Sequence, residues 1–159
     1  MLVLCILSGC NRANRPDGLP PLSSCEITIT QGGEPLEGAF VQLMPESGVF
    51  EWAVAGHTNA SGVAKILTHA QFPGAPEGTF KVLVSKTELE PSKFGPEPDD
   101  VNSPERAKWY DQVTNEKRDT IMYVKPEYDK AHTTPLSITI TRGRNRETFD
   151  VGEPVEIKK

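Results

Sequence analysis

The sequence predicts an all-β protein, a sandwich or a barrel of short strands, on three observations. Apolar and polar residues alternate over several separate segments, as they do in strands with one buried face. Turn-forming glycine, proline and asparagine residues lie between these segments. No long segment with helical periodicity separates them, which excludes a fold built from alternating strands and helices.

The first predicted strand runs from residue 24 to Gln31 and places Cys25, Ile27 and Ile29 on one face. Further strands are predicted over residues 39–44, 52–58, 63–68, 78–86, 120–124 and 136–141, and a final strand includes Phe149 and Val151. The segment Asn59-Ala60-Ser61-Gly62 predicts a hairpin loop that pairs Thr58 with Val63. These strands account for most of the chain after residue 24.

Residues 87–118, called the insertion below, interrupt the strand pattern. They form a connection longer than the ~12–15 residues usual for a loop without secondary structure. Ser103-Pro104-Glu105 is typical of a helix start, with a serine cap, proline in the first position and an early acid. A helix over residues 104–113 sets Trp109 and Val113 on one face, and we expect that face to dock on the strands.

Length and charge limit the possible functions. The chain has 159 residues, which is one domain of ordinary size, and a net charge of −5 with an isoelectric point near 5.2. Nucleic-acid binding needs a basic surface that neutralises phosphates, so this class is not predicted. Three cysteines are too few for a small domain held together by disulfides.

The first ten residues predict a lipoprotein leader. Residues 2–7 are a short apolar run, far below the ~20 residues of a membrane-spanning helix and typical of a signal peptide. Leu7-Ser8-Gly9-Cys10 follows directly and resembles a bacterial lipobox, which implies cleavage after residue 9 and lipid on Cys10. The alternative is a buried N-terminal strand, which the polar residues 11–15 disfavour.

Residues 10–23 are interpreted as the lipidated cysteine and a proline-rich tether, and residues 24–159 as the folded head. Several acyl chains on one cysteine anchor a protein stably. The expected location is therefore the cell envelope, on its periplasmic or outer surface. Cleavage removes Cys5 and lipid occupies Cys10, which leaves Cys25 as the one free thiol, expected to be a small buried apolar residue.

Several phrases resemble those of bacterial carboxypeptidase-regulatory-like domains. Residues 33–41, GEPLEGAFV, are similar to their G-x-P-L-x-G-A-x-V opening, and residues 74–82, GAPEGTFKV, to their G-x-P-x-G-x-Y-x-V strand. Residues 56–62, GHTNASG, resemble their G-x-T-D-x-x-G hairpin, with Asn59 in place of aspartate. The end of the chain also looks like that of the lipoprotein members, in Pro126-Glu127-Tyr128 and residues 136–140. The resemblance implies a seven-stranded, transthyretin-like Greek-key sandwich without catalytic activity, to which the insertion is an addition.

The sequence predicts neither an active site nor a cofactor. In the expected hairpin register His57 and His69 are about 17 Å apart and on opposite faces, and His132 follows in a polar turn. The H-x-H pair of the iron dioxygenases that share the transthyretin fold is missing, as is the G-x-S-x-G motif of serine hydrolases. A metal site and an enzyme of the transthyretin fold are therefore both disfavoured.

Three aromatic residues remain as candidates for binding: Trp52, Trp109 and Tyr110. Exposed aromatics stack on sugar rings or anchor protein partners, whereas the alternative is that Trp109 only fixes the inserted helix to the sheet. The function expected from the sequence is that of a non-enzymatic, lipid-anchored envelope protein with a structural or recognition head. A carbohydrate- or protein-binding module is the main alternative.

Overall fold

The computed structural model describes residues 15–47 and 50–159. The expected signal peptide, the lipobox and Cys10 lie outside the described residues. The strands are β1 (Leu22–Gln31), β2 (Glu34–Pro35), β3 (Phe40–Pro45), β4 (Val54–His57), β5 (Val63–Lys65), β6 (Leu67–Thr68), β7 (Phe72–Pro73), β8 (Ala75–Pro76), β9 (Gly78–Ser85), β10 (Thr87–Leu89), β11 (Thr120–Met122), β12 (Ser137–Ile140), β13 (Arg144–Asp150) and β14 (Ile157–Lys158). The helix α1 spans Pro104–Thr114, and a 3-10 turn spans Pro126–Asp129.

The first sheet is built around β1. This strand pairs in parallel with β13 along one side, and on the other side with β2, β5 and β8, all antiparallel. Cys25, Ile27 and Ile29 are buried, while the residues between them are partly exposed. This alternation is the one the sequence predicts for a strand that covers a core with one face.

The second sheet has the strand order β12-β9-β3-β4-β6-β7, with all neighbours antiparallel. Its inward residues include Val41, Val82 and Val84, which have no exposed surface. They belong to one buried cluster together with Ile27 and Ile29 of the first sheet. The head is therefore a mostly-β structure of sandwich type, as predicted, with its core between two sheets.

The predicted hairpin exists, but its register differs by one residue. Thr58 bridges to Ala64 instead of Val63, because the Asn59 N–H donates to the Val63 carbonyl oxygen at 3.1 Å and so extends the pairing to Asn59 and Val63. The returning chain then changes sheets at the buried Ile66. Before that residue β5 pairs with β1, and after it β6 pairs with β4. The predicted pairing of His57 with Ala64 is wrong for the same reason.

A small third sheet, β10-β11-β14, forms the stem of the insertion. The helix begins as predicted: Ser103 caps it, and its hydroxyl accepts a hydrogen bond from the Arg106 N–H at 3.1 Å. The helix has no buried residue, and its side-chain hydrogen bonds to other segments reach residues 95–97. The expectation that it docks on the sandwich is therefore wrong: it folds against the preceding loop of the insertion.

Two observations bear on how the head is attached to the rest of the chain and to a membrane. Leu19 is buried, and so the last residues of the expected tether pack on the head. In the part of the chain that the structure describes, no helix has the length and apolar character needed to cross a membrane.

Candidate binding surfaces

Trp52 lies just before β4, at the end of the second sheet where β3 ends. Its ring is half-buried and meets the ring of His69 edge-on, with 5.2 Å between centroids. Together with Met44 and Phe50 it lines a cavity of about 330 Å³. Trp52 is thus part of a surface pocket, and its ring is already in contact with a histidine.

Trp109 and Tyr110 lie in α1, with their rings edge-to-face at 5.2 Å. Trp109 Nε1 donates a hydrogen bond to the Gly95 carbonyl oxygen at 3.1 Å, which fixes the indole to its own loop. The Tyr110 hydroxyl donates to Glu97 Oε1 at 2.6 Å, and Arg106 forms an ion pair with the same carboxylate. The hydrogen bond that Arg106 donates to the Tyr110 hydroxyl oxygen, together with the charge of Glu97, raises the pKa of Arg106. Tyr110 is still 48% exposed, so it remains free to contact a partner.

The structure does not bring the three predicted residues together. Trp52 lies beside Pro45, which pairs with Phe80 near the start of β9. The insertion that carries Trp109 and Tyr110 leaves from the opposite end of β9, after Ser85. The chain therefore offers two separate aromatic surfaces, at opposite ends of the second sheet.

A third aromatic pair was not among the candidates from the sequence. Phe40 is 37% exposed on the outer face of the second sheet, and its ring is tilted against that of His57 with 5.0 Å between centroids. Both side chains line a cavity of about 350 Å³, called the Phe40 cavity below. The sequence could have indicated this surface through Phe40 alone, a large apolar residue on the strand face opposite that of Ala39 and Val41. Its partner, His57, follows only from the pairing of β3 with β4.

Two other concave surfaces lie among the described residues. One, of about 450 Å³, is lined by residues from the tether (Pro20, Pro21), from the end of β3 (Pro45) and by Phe50. The other, of about 430 Å³, lies on the polar outer face of the first sheet, between Thr28 and Thr148. The first marks the end of the head at which the chain enters from the tether.

Titratable groups in the described residues do not assemble into a reactive site. His132 is exposed, while His57 and His69 pack on different aromatic rings. No three His, Cys, Asp or Glu side chains among the described residues cluster tightly enough for a metal ion. Burial raises the pKa of the Cys25 thiol to about 11, so this cysteine has little of the thiolate form that reacts.

No protein-family model matches the chain, and no curated protein matches it. Among solved structures the chain is similar to the crystal structure of a variant of BcpA, the major pilin subunit of Bacillus cereus, with 13% sequence identity and a TM-score of 0.41. The similarity covers 83% of this chain and 30% of the pilin chain. This chain thus spans less than a third of the pilin's length.

Proposed function

We propose that this chain is a lipid-anchored protein of the bacterial cell envelope whose β-sandwich head serves structure or recognition. The observation that carries the proposal is the order of its segments. An apolar run ends in Leu7-Ser8-Gly9-Cys10, a spacer rich in proline follows, and the head begins at β1. Acyl chains on Cys10 would anchor the head without a membrane-spanning helix.

We further propose that the head is a seven-stranded Greek-key sandwich of the transthyretin type, of the carboxypeptidase-regulatory-like class. The positions of the matching phrases support this. Gly33 is the last residue of the turn into β2, residues 56–62 include the loop after β4, and residues 74–82 include β8 and the start of β9. The turn-forming residues of these phrases therefore lie next to the strands that such a domain would connect with turns.

A role without catalysis is supported by how the polar groups are used. In the described part of the chain, every buried side-chain nitrogen or oxygen has a hydrogen-bond partner. Thr58, for example, donates to the Leu36 carbonyl oxygen at 2.6 Å and accepts from the Ala39 N–H at 2.8 Å. Such groups hold strands together and are not poised for reaction. Metal analysis of the purified protein tests the iron-dioxygenase version of the enzyme alternative, which requires a stoichiometric iron content.

Recognition of a glycan or an envelope protein is the second candidate function, favoured by the exposed apolar residues of the insertion. Leu89 is 58% exposed, Val101 68% and Tyr110 48%. Together with Trp109, and with Trp52 at the other end of the sheet, they offer rings and apolar surface to a partner. A glycan array with no signal above background would remove the carbohydrate version.

The anchoring experiment is expression of the full chain in bacteria, followed by detergent phase partition and intact mass measurement. We expect the wild type and a Cys25→Ser control in the detergent phase, with a mass that lacks residues 1–9 and includes acyl groups. A Cys10→Ser variant should partition into the aqueous phase. Wild-type protein that keeps its leader and stays in the aqueous phase would contradict the proposal.

A further inference from the structure

The outer faces of the two sheets differ in chemistry. The outer face of the first sheet is polar, with Glu26, Thr28 and Thr30 of β1 beside Arg146, Thr148 and Asp150 of β13. The outer face of the second sheet is polar at β9 and β12, where Lys81 and Thr139 lie, and apolar toward β4 and β6, where it carries Phe40, Ala55 and Leu67. A polar outer face needs no partner, whereas an apolar one indicates contact with a ligand.

The Phe40 cavity lies in this apolar part of the outer face. Its floor is made of small side chains from β4 and the residues around it, such as Ala53 and Ala55, and its walls are the tilted rings of Phe40 and His57. Its volume of about 350 Å³ falls within the range of small-molecule sites. Because the two rings contact each other, they form one aromatic side of the cavity, and the small side chains beside them leave room for a ring or a short alkyl group.

An unusual turn forms one edge of the cavity. His69 and Ala70 both adopt left-handed backbone conformations, with φ of 54° and 55°, in the tight turn that the Gln71 N–H closes on the Thr68 carbonyl oxygen at 3.3 Å. Such conformations are uncommon for residues other than glycine. The turn places Ala70 on the cavity wall, while the ring of His69 packs on Trp52.

Lys65 supplies the one ammonium group of the lining residues. Its cross-strand neighbour on β1 is Glu26, whose carboxylate is engaged by Arg146 Nε at 2.9 Å. Among the residues that the structure describes, Lys65 forms no ion pair of its own. A cation at the rim of an apolar cavity is complementary to a ligand with an apolar body and one negative charge.

We propose that the Phe40 cavity binds a small amphiphilic carboxylate. Its aromatic or branched aliphatic body would pack between Phe40 and Ala55, and its carboxylate would lie at the ammonium group of Lys65. A neutral sugar fits less well, because His57 and Lys65 are the only lining side chains that offer polar atoms. The proposal is independent of the lipid anchor.

The test is a titration of the full chain with phenylacetate, followed by two-dimensional NMR of the backbone amides. We expect saturable shifts at Phe40, Ala55, His57 and Lys65, with a dissociation constant on the order of 1 mM or below. Phenylacetamide, which has the same shape without the charge, should bind about tenfold more weakly. The absence of saturable shifts, or equal affinity for both probes, would overturn the proposal.

Two variants locate the site. Lys65→Gln should remove the preference for phenylacetate over phenylacetamide, while the matched control Lys108→Gln, on α1, should leave it unchanged. Ala55→Leu should fill the cavity and abolish binding of both probes, with the spectrum of β13, at the far side of β1, unaltered. Retained binding in Ala55→Leu, or a retained preference in Lys65→Gln, would place the binding elsewhere and overturn the assignment.

Discussion

Gly62 closes the loop between β4 and β5 against the first strand. Its φ is +73°, and a Cβ at this position would lie 2.5 Å from the Ile29 carbonyl oxygen. The backbone comes this close because the Gly62 carbonyl oxygen accepts the Ile29 N–H at 2.8 Å. We expect Gly62→Ala to lower the free energy of unfolding by about 2–4 kcal/mol, since it adds a backbone clash to a left-handed conformation.

Urea denaturation measures this loss, and Gly33→Ala is the matched control. Gly33 also has a positive φ, +85°, but a Cβ added there would meet no atom within 4 Å. The control should therefore lose only the conformational part, about 1 kcal/mol. Equal losses in the two variants would show that the close approach of the loop to β1 contributes nothing.

Asp150, at the end of β13, makes stability depend on pH in the acid range. Its carboxylate accepts hydrogen bonds from the Thr30 hydroxyl at 2.8 Å and from the N–H groups of Gly33 at 3.0 Å and Gly152 at 2.8 Å. These bonds, that from Thr30 above all, hold the pKa of Asp150 below its ordinary value of 3.8. The carboxylate therefore stabilises the fold fully above the unfolded-state pKa, and this contribution is lost as the pH falls through the lower folded-state value.

The corresponding experiment compares urea midpoints at several pH values between about 2 and 5. Asp150→Asn should show a smaller loss of stability on acidification than the wild type, because it has no carboxylate to protonate. Asp99→Asn, at an exposed position of the insertion, is the control for the change in net charge. If Asp150→Asn and the wild type lose stability in parallel, the hydrogen bonds of this carboxylate do not govern the acid response.

At the residue scale, the sequence predicted those roles that depend on near neighbours. The turn formed by Asn59, whose Oδ1 accepts the N–H groups of Ser61 and Val63, could be anticipated because its partners are two and four residues away. The bonds of Thr58 to Leu36 and Ala39 could not, since these residues are about twenty positions distant. The pairing of Phe40 with His57 was missed for the same reason.

At the scale of elements, α1 illustrates the same division. Its start was predictable, because the Ser103 cap and the proline that follows act within one turn. The surface on which the helix docks was not predictable, because its partners, Gly95 and Glu97, lie more than ten residues before the side chains that contact them. Glu116, beyond the helix, accepts hydrogen bonds from the Ser92 hydroxyl at 2.7 Å and the Lys93 N–H at 3.1 Å, and these bonds lower its pKa. These bonds join the end of the insertion to its beginning.

The C-terminal strand β14 holds the stem of the insertion. Thr120 and Lys159 exchange two backbone hydrogen bonds, each 3.0 Å long, and Lys158 Nζ lies 2.6 Å from Glu90 Oε1. Because a two-stranded hairpin is only marginally stable in water, we expect truncation after Glu156 to raise amide exchange in residues 87–90 and 119–122 by on the order of tenfold. Exchange in β3 and β9 should stay unchanged.

The control for this truncation is Lys158→Ala, which removes the exposed ion pair but keeps the backbone bonds. Exposed ion pairs contribute little, so the control should leave protection of the stem close to that of the wild type. Hydrogen exchange with mass spectrometry measures both variants. Unchanged protection after truncation would mean that β10 and β11 form a stable hairpin without the third strand.

For the whole molecule, alternation predicted which faces are buried, but not how the strands are arranged. Nothing in the local pattern of β1 indicates that it runs parallel to β13, more than a hundred residues later. The sequence also gives no sign that the chain changes sheets at Ile66. Residues 63–68 are predicted as one continuous strand, although β5 pairs with β1 and β6 with β4. Pairing depends on distant parts of the chain, and that information is not local.

The arrangement gives the head two ends with different roles. The tether enters β1 at Leu22, and the ten residues of this strand rise about 30 Å to Gln31. Gln31 Nε2 donates to the Tyr123 carbonyl oxygen at 2.7 Å, next to the stem of the insertion. The Arg142–Gly143 turn lies at the tether end, where the Gly143 N–H donates to Ser23 Oγ at 3.2 Å. A lipid on Cys10 would therefore leave the insertion at the end of the head far from the membrane.

Fluorescence quenching by membrane lipids that carry a nitroxide tests this orientation. A fluorophore on Arg142→Cys should be quenched by the nitroxide lipids more strongly than one on Val101→Cys, because quenching acts only over short distances. Cys25 is 2% exposed and takes no label in the native head, so each variant carries a single fluorophore. A version of each variant that begins at residue 11, and therefore has neither Cys5 nor Cys10, is free in solution and should show no quenching at either position. Equal quenching at residues 101 and 142 in the lipidated protein would mean that the tether lets the head turn, and that the insertion is not held away from the bilayer.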